Sequence, residues 1–182
     1  QTLDWGMTAT GAVTGFDAGY KGQGVKIGII DSGIGPHADL AVAGGMNFAL
    51  TPSYREDNLD DHMGHGTHVA GIAGALDNAI GVRGVAPEVS LYALKIFDKE
   101  GSTEYGGNLT EVLSALDWAI ANDLDIVNMS FGSPTGSSVL EAAINEVAAA
   151  GILMVAAAGN ITKDTPLTSV QYPARYEAVV AV

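Results

Sequence analysis

Five short, nearly unbroken apolar runs recur along this chain, and the windows between them repeat their apolar residues with the helical period. That alternation restricts the fold more than any other feature. The runs cover residues 25–30, 90–97, 125–129, 152–158 and 178–182. Runs of this length suit strands covered on both faces, as parallel strands are. Leu109, Val112, Leu113, Leu116 and Ile120 share one helical face, with Asn108 or Thr110 as cap. Ser138, with Glu141 three residues on, has the spacing of a capping box. It opens a window carrying Leu140, Ala143, Ile144 and Val147, and Gly151 stands where a C-terminal cap belongs. Residues 66–75 are small and predict a tightly packed central helix. The implied class is α/β, a doubly wound, mostly parallel sheet with helices on both faces, in one unit over residues 1–182. Ligands of such sheets bind beyond the carboxyl ends of the strands. Asp31, residues 130–132 and the Gly159-Asn160 pair follow three of those ends.

Composition narrows the function. The chain has 182 residues, of which 47% are hydrophobic and 16% charged, so it is not a disordered polymer. Its net charge of −13 argues against a nucleic-acid or anionic-membrane partner. No apolar run approaches a membrane span. With no cysteine, disulfides, thiolate metal sites and a cysteine nucleophile are excluded, and the redox compartment stays open. The polar, acidic stretch at residues 50–63 reads as an exposed loop. The chain begins at Gln1 and stops inside a strand pattern, so the expectation is a processed start and a fold cut short.

Two segments carry candidate chemistry. Asp31-Ser32-Gly33 directly follows the first run, where an aspartate is either a turn former or a shielded carboxylate needing a partner. Gly33-Ile34-Gly35-Pro36-His37-Ala38 has the spacing of a dinucleotide loop, although Pro36 and the preceding acid suit a pyrophosphate poorly. The sharper segment is His65-Gly66-Thr67-His68-Val69-Ala70-Gly71. A histidine at the start of a helix can hold a carboxylate with one ring nitrogen and face a cleft with the other, as a general base must. A metal alternative rests on His62, His65 and His68, spaced by three beside Asp60 and Asp61, with His62 expected on the loop.

Taken in order, the Asp31-Ser32-Gly33 block with its strand, the His65 block, Gly81-Val82-Arg83-Gly84-Val85-Ala86-Pro87, Asn128-Met129-Ser130-Phe131-Gly132, Val155-Ala156-Ala157-Ala158-Gly159-Asn160 and Tyr172-Pro173 resemble the subtilisin-like serine proteases, nearest the true-subtilisin branch. The ordered set spans nearly the whole chain and is far more specific than any one block. The resemblance implies an endopeptidase with an Asp-His-Ser triad. Asp31 would orient the imidazole, His65 would be the base and then the acid, and Asn160 would donate to the oxyanion. It further implies a peptide groove along residues 99–105, including Gly101, Ser102, Thr103 and Tyr105, with Phe97 beside it and Ser130-Phe131-Gly132 opposite. Ala157, Ala158 and Gly159 would wall the pocket for the residue before the cleaved bond, and Ile161 near it predicts a preference for large apolar or aromatic side chains.

The resemblance also implies Ca2+. Leu76, Ile80 and Val82 would give carbonyls and Asn78 its side chain, with Gln1 and Asp39 closing the shell. Ala174, Tyr176 and Val179 would offer carbonyls to a second, weaker cation site, and Tyr172-Pro173 a cis turn. The family's Gly-Thr-Ser-Met-Ala block has no counterpart up to Val182. The chain alone is therefore expected to be inactive and to need the C-terminal remainder of the domain, as a second chain or a missing segment. Protein or peptide substrates are the expected partners, together with a propeptide or protein inhibitor. Secretion is the expected location, with a cytoplasmic one as alternative. The rival functions are a peptide-binding pseudoprotease scaffold and a nucleotide-binding domain.

Overall fold

The computed structural model of the chain describes residues 1–3, 5–49, 58–160 and 169–182. Two short helices come first, α1 (Trp5–Ala9) and α2 (Ala12–Asp17). There follow β1 (Lys26–Asp31), β2 (Val42–Asn47), α3 (His65–Gly74), β3 (Ser90–Lys95), the hairpin of β4 (Phe97–Glu100) and β5 (Thr103–Gly106), α4 (Leu109–Ala121), β6 (Ile126–Met129), α5 (Ser138–Ala149), β7 (Leu153–Ala156) and β8 (Val179–Ala181). Six strands form a sheet in the order β2-β3-β1-β6-β7-β8, with every neighbouring pair parallel. Helices cover both faces, so the chain has the α/β architecture that its alternating runs predict.

β1 is central and buried from both sides. Ile27 and Ile29 pack with Leu91, Ala93 and Ala70 beneath α3. Ile30 points the other way, into a larger cluster with Leu94, Val127 and Met129 of the sheet, Leu116 and Ala119 of α4, and Ile144 and Val147 of α5. Each large aliphatic side chain fully removed from water contributes about 1.5–3 kcal/mol. The small residues of α3 have a steric cause. A Cβ on Gly66 would lie 3.1 Å from the Cβ of Asp31 and would run into the Gly33 carbonyl. The helix therefore rests directly on the end of β1.

The two faces differ in cover. Residues paired across parallel strands point the same way, so Ile27, Ile126 and Leu153 share the α3 face, as do Ile29, Asn128, Val155 and Val180. Leu153 is 50% exposed and Val180 48%, whereas Met154 on the opposite face is fully buried. Among the described residues, α3 covers β1 and β3, and nothing covers the same side of β7 and β8.

Three expectations shift. β2 follows no apolar run; Gly44 and Gly45 give it none, and a bulge between Val42 and Gly44 interrupts its register with β3. The predicted capping box does not form. Ser138 is the first helical residue and Ser137 is the N-cap, its carbonyl accepting the Glu141 amide at 2.9 Å without a side-chain cap bond. The dinucleotide spacing at residues 33–38 opens no helix, since the described chain after β1 runs through turns to β2. It therefore lacks the helix N-terminus that a pyrophosphate needs. Gly151 adopts φ +85° at the end of α5 and the Tyr172-Pro173 bond is cis, both as expected.

Leu116 is fully buried between α4 and the sheet. Leu116→Ala should lower unfolding stability by about 2–5 kcal/mol, read from urea denaturation of the full-length protein.

Candidate active site

All strands of the main sheet point one way, so the residues after β1, β3, β6 and β7 gather along one edge. Asp31 closes β1 at 2% exposure. Burying a carboxylate is costly unless donors surround it. The His65 ring supplies one, its Nδ1 lying 2.8 Å from Oδ1 and 2.9 Å from Oδ2. Ser32 supplies two more to Oδ1, its amide at 2.7 Å and its hydroxyl at 3.1 Å. The same hydroxyl accepts the Gly66 amide at 2.9 Å, tying the first turn of α3 to the loop after β1. An ionised carboxylate only accepts, so Nδ1 carries the hydrogen and Nε2 presents its lone pair outward. The ring is 55% exposed, leaving that edge open to a reactant.

α3 has no side-chain cap on its N-cap residue, Gly64. Asp61 serves instead from three residues earlier. Its Oδ1 accepts the amides of Met63 and Gly64, and its Oδ2 accepts the amide and hydroxyl of Thr67. Burial works against ionisation of Asp61, but the Thr67 and Gly64 donors outweigh it and hold the carboxyl below its usual range. Sequence reasoning gave Asp61 only a place in a metal cluster. The missed signal was an aspartate just ahead of a glycine-capped helix. No group of three or more His, Asp and Glu able to hold a metal occurs among the described residues, and His62 is turned toward Asp98, away from any set with His65 and His68.

The expected groove residues fall on two walls. Phe97 opens β4, Gly101 and Ser102 form the hairpin turn, and Thr103 and Tyr105 lie on β5. Ser130, Phe131 and Gly132 follow β6, and Ala157, Ala158, Gly159 and Asn160 follow β7. The rings of Phe97 and Phe131 meet edge to face with centroids 5.8 Å apart, joining the walls at their base. The Ala157 amide bonds to the Met129 carbonyl and the Ser130 hydroxyl accepts from Asn128 at 2.8 Å, which fixes the second wall. Asn160 is exposed beyond Gly159, whose φ is +109°. Ile161 lies outside the described residues.

Sequence, sheet order and the buried Asp31–His65 pair together define a class, parallel α/β sheets that carry an aspartate–histidine pair at the carboxyl ends of their strands. A profile described as the Subtilase family matches residues 22–182, and the chain belongs to that family. It is 46% identical over its whole length to subtilisin DY of Bacillus licheniformis, covering 64% of that protein. It is also 46% identical to a thermostable alkaline protease of Halalkalibacterium halodurans, covering 47%. Minor extracellular protease Epr of Bacillus subtilis is 46% identical over 98% of this chain, which spans 26% of it. The chain thus spans less than two thirds of the length of each of these curated relatives.

The loop after α3 tests the residues proposed for a cation. The Gln1 side-chain amide donates to the carbonyls of both Leu76 and Val82, the Gln1 amine donates to Ala79, and Thr2 bonds to Gly81. Asp39, 2% exposed, accepts from Asn78 Nδ2 at 2.7 Å and from the Val82 amide at 3.1 Å. Two carbonyls converging on one donor beside a buried carboxylate make an oxygen-rich cradle fit for a hard cation. Asn78 shows its nitrogen to Asp39 and its oxygen to the Ile80 amide, so ligation requires its amide to turn over. Ala174, Tyr176 and Val179 lie together after the cis bond, all buried, and the Tyr176 carbonyl already accepts the Val179 amide.

The lowered Asp61 carboxyl sets a pH dependence. A depressed folded-state value contributes stability that is present above the unfolded value, about 3.9, and is lost as pH falls through the folded one. Asp61→Asn should cost about 1–2 kcal/mol at neutral pH, and the gap to the unsubstituted protein should close below about pH 4 in a denaturation series.

Proposed function

We propose that this chain is the acid-and-base half of a calcium-stabilised serine endopeptidase domain whose nucleophilic serine lies in a C-terminal remainder. The observation that carries the reading is the buried Asp31 carboxylate gripping Nδ1 of His65. That grip fixes one tautomer and stabilises the imidazolium formed when Nε2 takes a proton from a hydroxyl. Once protonated, His65 would return that proton to the leaving amine. Asn160 is assigned to the developing oxyanion, where a fixed amide matters only as charge builds. The peptide would lie extended along the β4–β5 hairpin and residues 130–132, held by main-chain bonds. Ala157, Ala158, Gly159 and Ser130 would line an uncharged pocket preferring a large apolar or aromatic residue before the cleaved bond.

The half-covered sheet supports the remainder as a partner. Leu153, Val180 and Val182 are exposed on or beside the α3 face of β7 and β8. A cavity of about 660 Å³ opens along the outer side of α3, lined by Trp5, Ile72, Val82 and Val85 among others. Adjacent exposed apolar side chains such as Leu153 and Val180 call for cover. A propeptide or protein inhibitor would bind the same groove as substrate. Secretion is the proposed location, supported by the relative named an extracellular protease.

The test uses the full-length protein. A serine-directed phosphonate should label one serine beyond residue 182, and His65→Ala should lower kcat/KM by at least about 10⁴-fold. Asn160→Ala should lower kcat by about 10²–10³-fold, the range known for removing such a donor from a subtilisin, with KM little changed. Residues 1–182 alone should form no adduct. Alanine or glycine at the expected serine, with peptide binding retained, would point instead to a scaffold without catalysis.

Calcium has its own readout. Gln1, Asp39, Leu76, Asn78, Ile80 and Val82 would hold the ion, which would lock the N-terminus to the loop after α3. Chelation should lower the unfolding temperature, and calcium at 100 times its Kd should restore about 2.7 kcal/mol. Asp39→Ala should abolish the restoration.

A further inference from the structure

A second histidine–carboxylate pair flanks the first. His62 Nδ1 lies 2.8 Å from Oδ1 of Asp98, which is 3% exposed. The same oxygen receives the Lys95 ammonium at 2.9 Å and the Lys99 amide at 2.8 Å. Lys95 is wholly buried and also donates to the Asp60 carbonyl. Burial opposes ionisation of Asp98, but Lys95, the Lys99 amide and His62 overcome it and hold the carboxyl below its usual range. Asp98 is therefore a fixed anion whose charge Lys95 already balances. It fixes the imidazole as Asp31 fixes His65, with Nδ1 inward and Nε2 outward. The His62 ring is 44% exposed. It is bounded by β4, which carries Phe97, and by the loop that delivers His65 three residues later.

We propose that His62 is a specificity-determining residue of the cleft, selecting a carboxylate side chain on the peptide upstream of the cleaved bond when its ring is protonated. The claim rests on the endopeptidase reading and adds to it a charge-reading subsite held in place by Asp98. Around the ring, the charged groups are Lys95 of β3, Asp98 and Lys99 of β4, Asp60 and Asp61 of its own loop, and the Asp31–His65 pair. Lys95 and Asp98 cancel, Asp31 is engaged by the His65 ring and by Ser32, Asp61 is engaged by amides of the first turn of α3, and Asp60 is exposed to screening solvent. A proton on His62 thus adds a positive charge that its buried neighbours do not neutralise. Neutral His62 offers only an acceptor lone pair, which repels a carboxylate.

The test compares peptides differing only by Glu or Gln at each of the three residues before the cleaved bond, cleaved by the full-length protease at about pH 5.5 and pH 8.5. Glutamate, with an ordinary value near 4.3, stays ionised at both. Any effect of pH on the shared catalytic step acts on both peptides alike, so the ratio of their kcat/KM values removes it. At one position the Glu/Gln ratio should rise about fivefold on acidification, the scale of one solvent-accessible ion pair. In His62→Gln it should change by less than about twofold. A flat ratio at all three positions, or a rise that survives His62→Gln, overturns the subsite while leaving the peptidase standing. Absence of any cleavage together with no phosphonate adduct overturns the endopeptidase reading, and the subsite with it.

Discussion

A carboxylate sealed at the end of a central strand is the constraint that shapes this molecule. Asp31 is nearly inaccessible, and an unpaired charge there would cost several kcal/mol. Its donors come from the two segments that must approach it, the loop after β1 and the first turn of α3. That approach is why position 66 is glycine, while Gly74 at the far end of α3 makes room for Val89 and Leu91. Asp61 then holds the helix start from outside, because Gly64 has no side chain to do so. Local backbone chemistry and the placement of the imidazole are one problem with one solution.

Legibility in the sequence followed the kind of signal each element carries. β1 and β3 were readable because strands covered on both sides must be apolar without a break, and β6 and β7 stood out as short apolar runs of the same kind. α4 was readable because its face repeats cleanly, and Asn108 is its N-cap. β2 was invisible because an edge strand can be made of Val-Ala-Gly-Gly when its neighbour's Tyr92 lies over Gly44 and the Ala93 backbone leaves no room for a side chain at Gly45. At α5 the error was one residue: Ser137 and Ser138 offer the same hydroxyl, and only the backbone decides which is the cap.

The site divides in the same way. Asp31 and His65 could be paired on paper because their chemistry has few other uses at strand and helix ends. Lys95, Asp98 and His62 could not, since charged residues in a sequence read as solvated surface. Only the sheet register, which sets Lys95 beside Asp31, shows the lysine to be interior and therefore in need of a carboxylate. The hairpin supplies that carboxylate one residue past Phe97, so the groove wall and the buried ion pair share a strand.

The two faces of the sheet show how far such a network can be carried by what is present. The face under α4 and α5 is closed, with fully buried residues from β1, β3, β6 and β7 and from both helices. Among the described residues, the α3 face is closed only over β1 and β3, the two strands whose ends carry Asp31 and Lys95. Both histidine–carboxylate pairs therefore stand on closed packing, while among the described residues β7, which leads to Asn160, and its neighbour β8 are covered on one side only. Stability follows burial, so the acid-and-base side should be the more rigid half of the cleft. Apolar chain laid over Leu153 and Val180 would extend that burial to β7 and order the residues up to Asn160 that follow it.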